Sequence, residues 1–241
     1  MKHQSRKQQD IIQRRGFLQG VAVGAPLVLT GYALGGSTEP ESSPPEEDVS
    51  PSEDLMREHG VLKRILLIYE EAIRRLNAGE DLPPESLADS AEIIHSFIEG
   101  YHEPLEEVYL FPRFRKANRL VDLVNVLTEQ HQRGRRLTET TLKLAKLSAI
   151  KDPVDRRTLA ESMRLFIRMY NPHEAREDTV LFPAFREIVT ANEYDALGED
   201  FERKEHELFG ADGFEKMVDK VATIEKTLGI YDLSQFTPPQ G

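Results

Sequence analysis

The sequence of 241 residues contains no cysteine and no tryptophan. Without cysteine the chain can form neither disulfides nor thiolate metal sites, and it has no thiol to carry a lipid. Any bound metal must therefore rest on histidine and carboxylate ligands, which suit iron, manganese or zinc. The chain is instead rich in charge, with 30% charged residues. This composition is typical of a soluble, helix-rich protein, and the length allows one ordinary domain with additional segments.

Two stretches of the chain share one pattern. Each places a histidine and a glutamate four residues apart, His102 with Glu106 and His173 with Glu177, and each continues to a Leu-Phe-Pro triplet. On a helix, side chains at i and i+4 point the same way, so each pair can offer a nitrogen and an oxygen to one metal ion or metal pair. The two triplets, at residues 110–112 and 181–183, predict the ends of both helices.

An earlier histidine extends the repeat. His59 precedes His102 by 43 residues, and His131 precedes His173 by 42. The order is therefore a histidine followed by a His-x-x-x-Glu pair, twice over. This order predicts four helices that carry one histidine each, with a glutamate added on the second and the fourth. Inward positions of this kind can form a two-metal site inside a four-helix bundle.

The apolar pattern agrees with a helical bundle. Apolar residues at helical spacing predict four amphipathic helices, which begin near residues 52–54, after Pro83, near Leu120 and after Pro153. Short links favour an up-down four-helix bundle over residues 54–210. Pro104 predicts a kink beside the proposed ligands because it lacks a backbone N–H. The sequence therefore predicts an all-α fold in which additional C-terminal helices follow the bundle. The last of these helices and the tail lie in residues 211–241.

The N-terminus has the layout of an export signal. Residues 1–15 are basic, and residues 17–36 are apolar and glycine-rich with small residues at the end. Arg14 and Arg15 precede Gly-Phe-Leu, which is similar to the twin-arginine signature. We therefore expect residues 1–36 to direct the folded protein through the twin-arginine export machinery to the periplasm. An uncleaved membrane anchor is the alternative, although Pro26 and several glycines weaken a spanning helix.

Residues 37–53 separate this signal from the predicted bundle. They consist largely of Pro, Ser, Glu and Asp, so they cannot bury enough apolar surface to fold, and we expect a disordered acidic linker. Removal of residues 1–36 takes away five basic residues and one acidic residue, which moves the formal net charge from -11 to about -15. A protein this acidic is a poor candidate for nucleic-acid binding.

Each histidine also has a plainer interpretation as a hydrogen-bonded core residue. The repeat favours metal ligation for His102 and His173. Matching offsets on apolar helix faces favour ligation for His59 and His131 as well. His95 has no counterpart in the other half of the chain, so we interpret it as a structural residue or an outer partner of the site.

Together these residues resemble the hemerythrin family, in particular its hemerythrin-like, His-His-Glu type domains. The resemblance covers about residues 54–210 and rests on both Leu-Phe-Pro triplets and on His59, His102, Glu106, His131, His173 and Glu177. It implies a non-haem centre of two iron ions, with histidine ligands on each iron and the two carboxylates as bridges. Such centres bind dioxygen reversibly, sense oxygen or iron, or handle peroxide and nitric oxide.

The chain departs from the oxygen-carrier pattern of this family. Carriers have a further histidine one turn after the histidine of the third helix, where this chain has Arg135, whose guanidinium cannot bind a cation. Carriers also place a bridging aspartate where Asp178 stands, although symmetry with Glu106 favours Glu177. The missing ligand leaves a coordination place that His206, a further candidate ligand, or solvent can fill. An open place favours reactivity over storage.

The sequence therefore supports two functions. The first is an exported diiron protein that binds dioxygen or a related small oxidant. The second is a diiron redox enzyme that acts on peroxide or nitric oxide, with the redox chemistry supplied by the metal. Whether the protein turns over a substrate is left open. A metal-free helical interaction module is a third interpretation with less support.

Overall fold

A computed structural model describes residues 49–239, and within that range the chain is helical and contains no β-strand. The α-helices, numbered in chain order, are α1 (Pro51–Ala78), α2 (Pro84–Ile93), α3 (Glu103–Leu105), α4 (Phe111–Lys116), α5 (Val121–Leu144), α6 (Leu147–Lys151), α7 (Pro153–Arg176), α8 (Phe182–Ile188), α9 (Ala191–Phe209) and α10 (Gly213–Leu228). The other helical segments are π-helices at Ile94–His102, Glu106–Leu110 and Glu177–Leu181, and a 3-10 helix at Leu233–Phe236. The predicted all-α fold is confirmed.

Four helical rods form the bundle. The first rod is α1, the second runs without interruption over residues 84–116, the third is α5, and the fourth runs over residues 153–188. Each rod packs against the next, and the fourth packs back against the first. Since the links between consecutive rods are short, the rods alternate in direction, as in an up-down bundle.

The first rod begins earlier than the sequence predicted. Its cap is Ser50, whose hydroxyl accepts a hydrogen bond from the backbone N–H of Glu53 (3.3 Å), and Pro51 occupies the first helical position. Residues 51–53 therefore belong to the bundle and not to the predicted linker. The predicted export signal at residues 1–36 and most of the linker lie outside the described residues.

The second and fourth rods do not end at the Leu-Phe-Pro triplets, so that prediction is wrong. Both rods continue through Pro112 and Pro183 as α4 and α8. Before each proline the helix widens into a π-segment, whose hydrogen bonds span five residues. In the second rod, for example, the N–H of Phe111 bonds to the carbonyl of Glu106. The widened turn lets the helix pass a residue that has no N–H and whose ring would collide with an α-helical carbonyl.

Pro104, where a kink was predicted, lies in the same kind of place. It stands two residues after the end of the longest π-segment, Ile94–His102, whose final bond runs from the N–H of Glu103 to the carbonyl of Ile98. The departure from α-helical geometry is therefore spread over the residues before the proline. It ends at His102, so the widened helix carries a predicted ligand at its last position.

The C-terminal helices cover one side of the bundle. Both α9 and α10 pack against the first and second rods. Phe209, near the end of α9, lies with its ring 5.5 Å from that of Phe97 and 5.7 Å from that of Tyr101. Over residues 49–239, none of the helices has the length and apolar character needed to cross a membrane.

Candidate metal centre

Six of the seven predicted ligands lie together in the middle of the bundle. His59 comes from the first rod and His131 from the third. His102 and Glu106 come from the second rod, and the fourth rod provides the remaining pair, His173 and Glu177. All six side chains are buried, and none is more than 3% exposed. The apolar faces of the four rods therefore enclose a cluster of imidazoles and carboxylates.

The six side chains define two adjoining positions. The ligand atoms of His59, His102 and Glu106 lie within 4.8 Å of one another. Glu106 also belongs to a second group, with His131, His173 and Glu177, whose four ligand atoms lie within the same distance of one another. Glu177 is near both positions, because its Oε2 lies 3.4 Å from Nε2 of His59 and 3.1 Å from Nε2 of His173. Each position thus has its own pair of histidines, and the two carboxylates are shared.

Each imidazole is held with Nδ1 outward and Nε2 inward. The outer contacts join Nδ1 to a side-chain oxygen: His59 to Asp178 (2.7 Å), His102 to Glu58 (2.6 Å), His131 to Glu107 (3.0 Å) and His173 to Gln130 (2.9 Å). Because these oxygens are acceptors, Nδ1 donates its proton, and Nε2 of the neutral imidazole is then left with a lone pair for a metal ion. This is the arrangement that fixes a histidine as a metal ligand.

The inner atoms lack donors that would satisfy them. Within residues 49–239, neither carboxylate oxygen of Glu106 or of Glu177 has a hydrogen-bond partner, although all four oxygens are buried. The Nε2 atoms of His131 and His173 lie 3.2 Å apart, so two lone pairs face each other when both rings are neutral with the proton on Nδ1. A buried anionic oxygen without a partner costs several kcal/mol, roughly the penalty of an unpaired buried charge. The donor set therefore fits cations that accept mixed nitrogen and oxygen ligands, such as iron, manganese or zinc.

The ionisation of the cluster leads to the same conclusion. Burial, reinforced by the charge of Glu177, raises the pKa of Glu106 well above its usual value. Burial also acts to raise the pKa of Glu177, but positive charge on the adjacent His173 and His59, which their rings carry when protonated at Nε2 in place of a metal ion, holds it well below. Two carboxylates this close and this deeply buried cannot both be ionised without positive charge beside them. A bound metal pair would supply that charge.

Both shared carboxylates occur at the start of a π-segment. Glu106 begins the segment Glu106–Leu110, and Glu177 begins Glu177–Leu181. In each case the carbonyl of the glutamate accepts the i+5 bond, from Phe111 in one rod and from Phe182 in the other. Such widened turns are frequent at functional sites. The repeat thus extends from residue types to backbone geometry.

His206 does not lie with the other predicted ligands. It is exposed on α9, whereas the residue before it, Glu205, is buried towards the bundle. One residue along a helix turns the side chain by about 100°, which directs His206 away from the rods. His95 is also exposed, and its Nδ1 contacts Glu99 at 3.4 Å. Asp178 lies outside the inner cluster, as symmetry predicted, and orients His59.

The four outer partners were not identified from the sequence, although the repeat contains a signal for them. Glu58 and Gln130 each precede the first histidine of their half, and each contacts the second histidine of the same half. Glu107 and Asp178 each follow the shared glutamate, and each contacts the first histidine of the other half. Acceptor side chains at offsets of one residue from the ligands would have indicated these contacts.

Arg135 belongs to a second pair of matching positions. It stands four residues after His131, and its guanidinium contacts Glu103 (2.7 Å) and Glu107 (2.8 Å). Lys63 stands four residues after His59 and contacts Glu174 at 3.2 Å. In each half, a basic residue thus stands one turn after the first histidine. It pairs with the glutamate that directly follows the second histidine of the other half. Neither half has a third histidine at this place.

A bundle with two histidine pairs around two shared carboxylates defines a metal-binding helical protein. Residues 50–150 match the family model of the hemerythrin HHE cation binding domain. The uncharacterized proteins Mb2018 of Mycobacterium bovis and Rv1995 of Mycobacterium tuberculosis are each 51% identical over 233 residues, which cover 94% of this chain and 91% of the relative. Residues 50–150 therefore form a domain of the hemerythrin HHE type, and the whole chain shares most of its length with these relatives.

The family match has a boundary that matters for the site. It ends at residue 150 and so contains His59, His102, Glu106 and His131 but not the second His-x-x-x-Glu pair. The structure brings that second pair, from the fourth rod, against the first. No solved structure matches the chain.

Proposed function

We propose that this chain is a non-haem diiron protein that binds dioxygen or a related small oxidant. The observation that carries the proposal is the pair of buried carboxylates, Glu106 and Glu177, whose oxygens lack donors and which two pairs of histidines share. Iron accepts this mixture of imidazole and carboxylate ligands. Bound iron supplies reversible electron transfer and a site for dioxygen or its reduced forms.

In this proposal the residues of the chain have three roles. The Nε2 atoms of His59 and His102 would hold one ion, and those of His131 and His173 would hold the other. Glu106 and Glu177 would provide carboxylate oxygens and balance the positive charge. The outer acceptors keep the proton on Nδ1 of each imidazole, which leaves every Nε2 able to bind metal.

The second candidate is a redox enzyme that acts on peroxide or nitric oxide. The observation in its favour is Arg135, which pairs with two glutamates at the place where oxygen carriers of the family have a further histidine. His206 is exposed and does not fill that place. Two histidines and two shared carboxylates provide few ligands for each ion, so coordination places would remain for a small molecule.

Spectra of the reduced protein would separate these candidates. Protein loaded with ferrous iron under anaerobic conditions is mixed with air, and its ultraviolet–visible spectrum is recorded before and after. Oxygen binding predicts new absorption that disappears when oxygen is removed. Rapid, irreversible oxidation together with the consumption of added peroxide or nitric oxide supports the enzyme. Wild-type protein that takes up no iron overturns both proposals. His173→Ala, which removes one ligand, is the matched control.

We also propose export by the twin-arginine route, on the strength of Arg14 and Arg15 before a short apolar stretch. Replacement of both by Lys keeps the charge but removes the planar guanidinium groups. The variant should accumulate in the cytoplasm at full length. An unchanged periplasmic yield would contradict the proposal.

A further inference from the structure

A second acidic cluster lies on the outer side of His102. It is formed by Asp54 and Glu58, one turn apart on α1, and by Glu205 on α9. One carboxylate oxygen of each lies within 4.8 Å of the others. Glu58 and Glu205 are buried, and Asp54 is half-buried. Three like charges this close repel one another strongly unless protons or a cation intervene.

Glu58 provides an independent reason to place a cation here. The side chain is 1% exposed, and its Oε2 accepts the proton of Nδ1 of His102 (2.6 Å). Its other oxygen, Oε1, is buried and has no hydrogen-bond partner within the part of the chain that the structure describes. The neighbouring hydroxyl of Tyr101 donates to the carbonyl of Phe201 (3.3 Å). A buried carboxylate oxygen without a donor, beside two further carboxylates, indicates missing positive charge.

The turn between α9 and α10 holds Glu205 in this position. Its Oε1 accepts a hydrogen bond from the backbone N–H of Phe214 (3.0 Å). The adjoining Gly213 leaves room for the carboxylate, since a Cβ there would lie only 2.6 Å from Oε1 of Glu205. Asp212, just before it, adopts a left-handed conformation with φ of 59°. The start of α10 is therefore shaped around the Glu205 side chain.

We propose that Asp54, Glu58 and Glu205 bind a hard divalent cation, at a site separate from the six-residue centre. Its donors are all oxygens, which suit Ca²⁺, Mg²⁺ or Mn²⁺, whereas the central cluster mixes imidazole and carboxylate. Glu58 links the two sites, because the carboxylate that binds the cation also orients His102. The cation therefore holds the Glu58 carboxylate in place and, through it, the imidazole of His102.

Protons are the competing occupants of this cluster. Burial, reinforced by the neighbouring carboxylates, raises the pKa of Asp54 to about 8. A cation must displace this proton to bind. Binding should therefore be stronger at higher pH and accompanied by proton release.

Calcium titration of the purified protein tests the site. The iron content of each sample is measured first, and Ca²⁺ is then added in a calorimeter. The wild type should bind one Ca²⁺ in addition to its iron. Glu205→Gln removes one charge from the cluster and should weaken Ca²⁺ binding by about tenfold or more. Glu207→Gln is the matched control, because it makes the same change at an exposed position on α9 and should bind as the wild type does.

Two results would overturn the proposal: no Ca²⁺ or Mn²⁺ binding by the wild type, or equal binding by Glu205→Gln and Glu207→Gln. Asp54→Asn provides a second test, since it leaves the turn at Gly213 untouched and should weaken binding in the same way. The iron content of the same samples reports separately on the diiron proposal. Either proposal can therefore fail without the other.

Discussion

The two halves of the candidate metal centre share a plan but differ in the groups behind their histidines. In the first half, His59 and His102 donate to the carboxylates of Asp178 and Glu58, at 2.7 and 2.6 Å. In the second half, His173 donates to the neutral amide oxygen of Gln130 (2.9 Å). The carboxylate behind the remaining histidine, Glu107, is also paired with a guanidinium.

This difference makes the two metal positions chemically unequal. A full negative charge behind an imidazole raises its basicity more than a neutral amide, or a carboxylate already paired with Arg135. We therefore expect the histidines of the first half to be the stronger ligands. A repeat that looks symmetric in sequence thus places unequal acceptors behind its two pairs of histidines.

The largest effect is expected when the shared carboxylates are removed. Glu177→Gln takes an anionic oxygen from both positions, so iron content should fall from about two ions per chain to fewer than one. His102→Ala should affect the first position and His173→Ala the second, with about one ion retained in each variant. Metal analysis after anaerobic loading measures all three. Equal iron content in the three variants would show that the carboxylates are not shared.

An exchange of the outer acceptors, Glu58 and Gln130, should reverse the difference in metal affinity between the two positions. Glu58→Gln gives His102 the neutral partner that His173 has, and should weaken iron binding at the first position by about tenfold. Gln130→Glu makes the opposite change and should strengthen the second position. Competition with a chelator measures both affinities. If neither variant changes iron release, the outer partners do not tune the site.

The smallest effect is expected for the basic side chains one turn after the first histidine of each half, Arg135 and Lys63. Arg135→Ala leaves the buried Glu103 without its ion-pair partner and should lower the free energy of unfolding by about 1–3 kcal/mol. Lys63→Ala removes a more exposed partner of Glu174 and should cost less than about 1 kcal/mol. Chemical denaturation measures both. Arg133→Ala, at an exposed pair with Glu129, is the control and should change little. Equal losses for all three would remove any special role of Arg135.

Much of the bundle could be predicted because its pattern is local. The spacing of His59, His102, His131 and His173 is visible in the sequence, and the apolar stripes place these residues on buried helix faces. The structure brings these four together with both glutamates. Their role as metal ligands stays a prediction, which the experiments above test.

Other features depend on contacts that spacing does not reveal. Pro112 and Pro183 would end an α-helix, but a π-segment before each lets the rod continue. On α9 the buried face follows Leu197, Phe201 and Glu205, so the interior accepts a glutamate where the sequence pattern favoured His206. A charged residue on an apolar face is predictable only when its partners across the bundle are known.

Crystallography at the iron absorption edge tests the central claim most directly. Protein loaded with ferrous iron under anaerobic conditions should show two anomalous peaks per chain. One should lie against Nε2 of His59 and His102 and the other against Nε2 of His131 and His173, with Glu106 and Glu177 in contact with both. A single peak, or two peaks that do not share these carboxylates, would contradict the account.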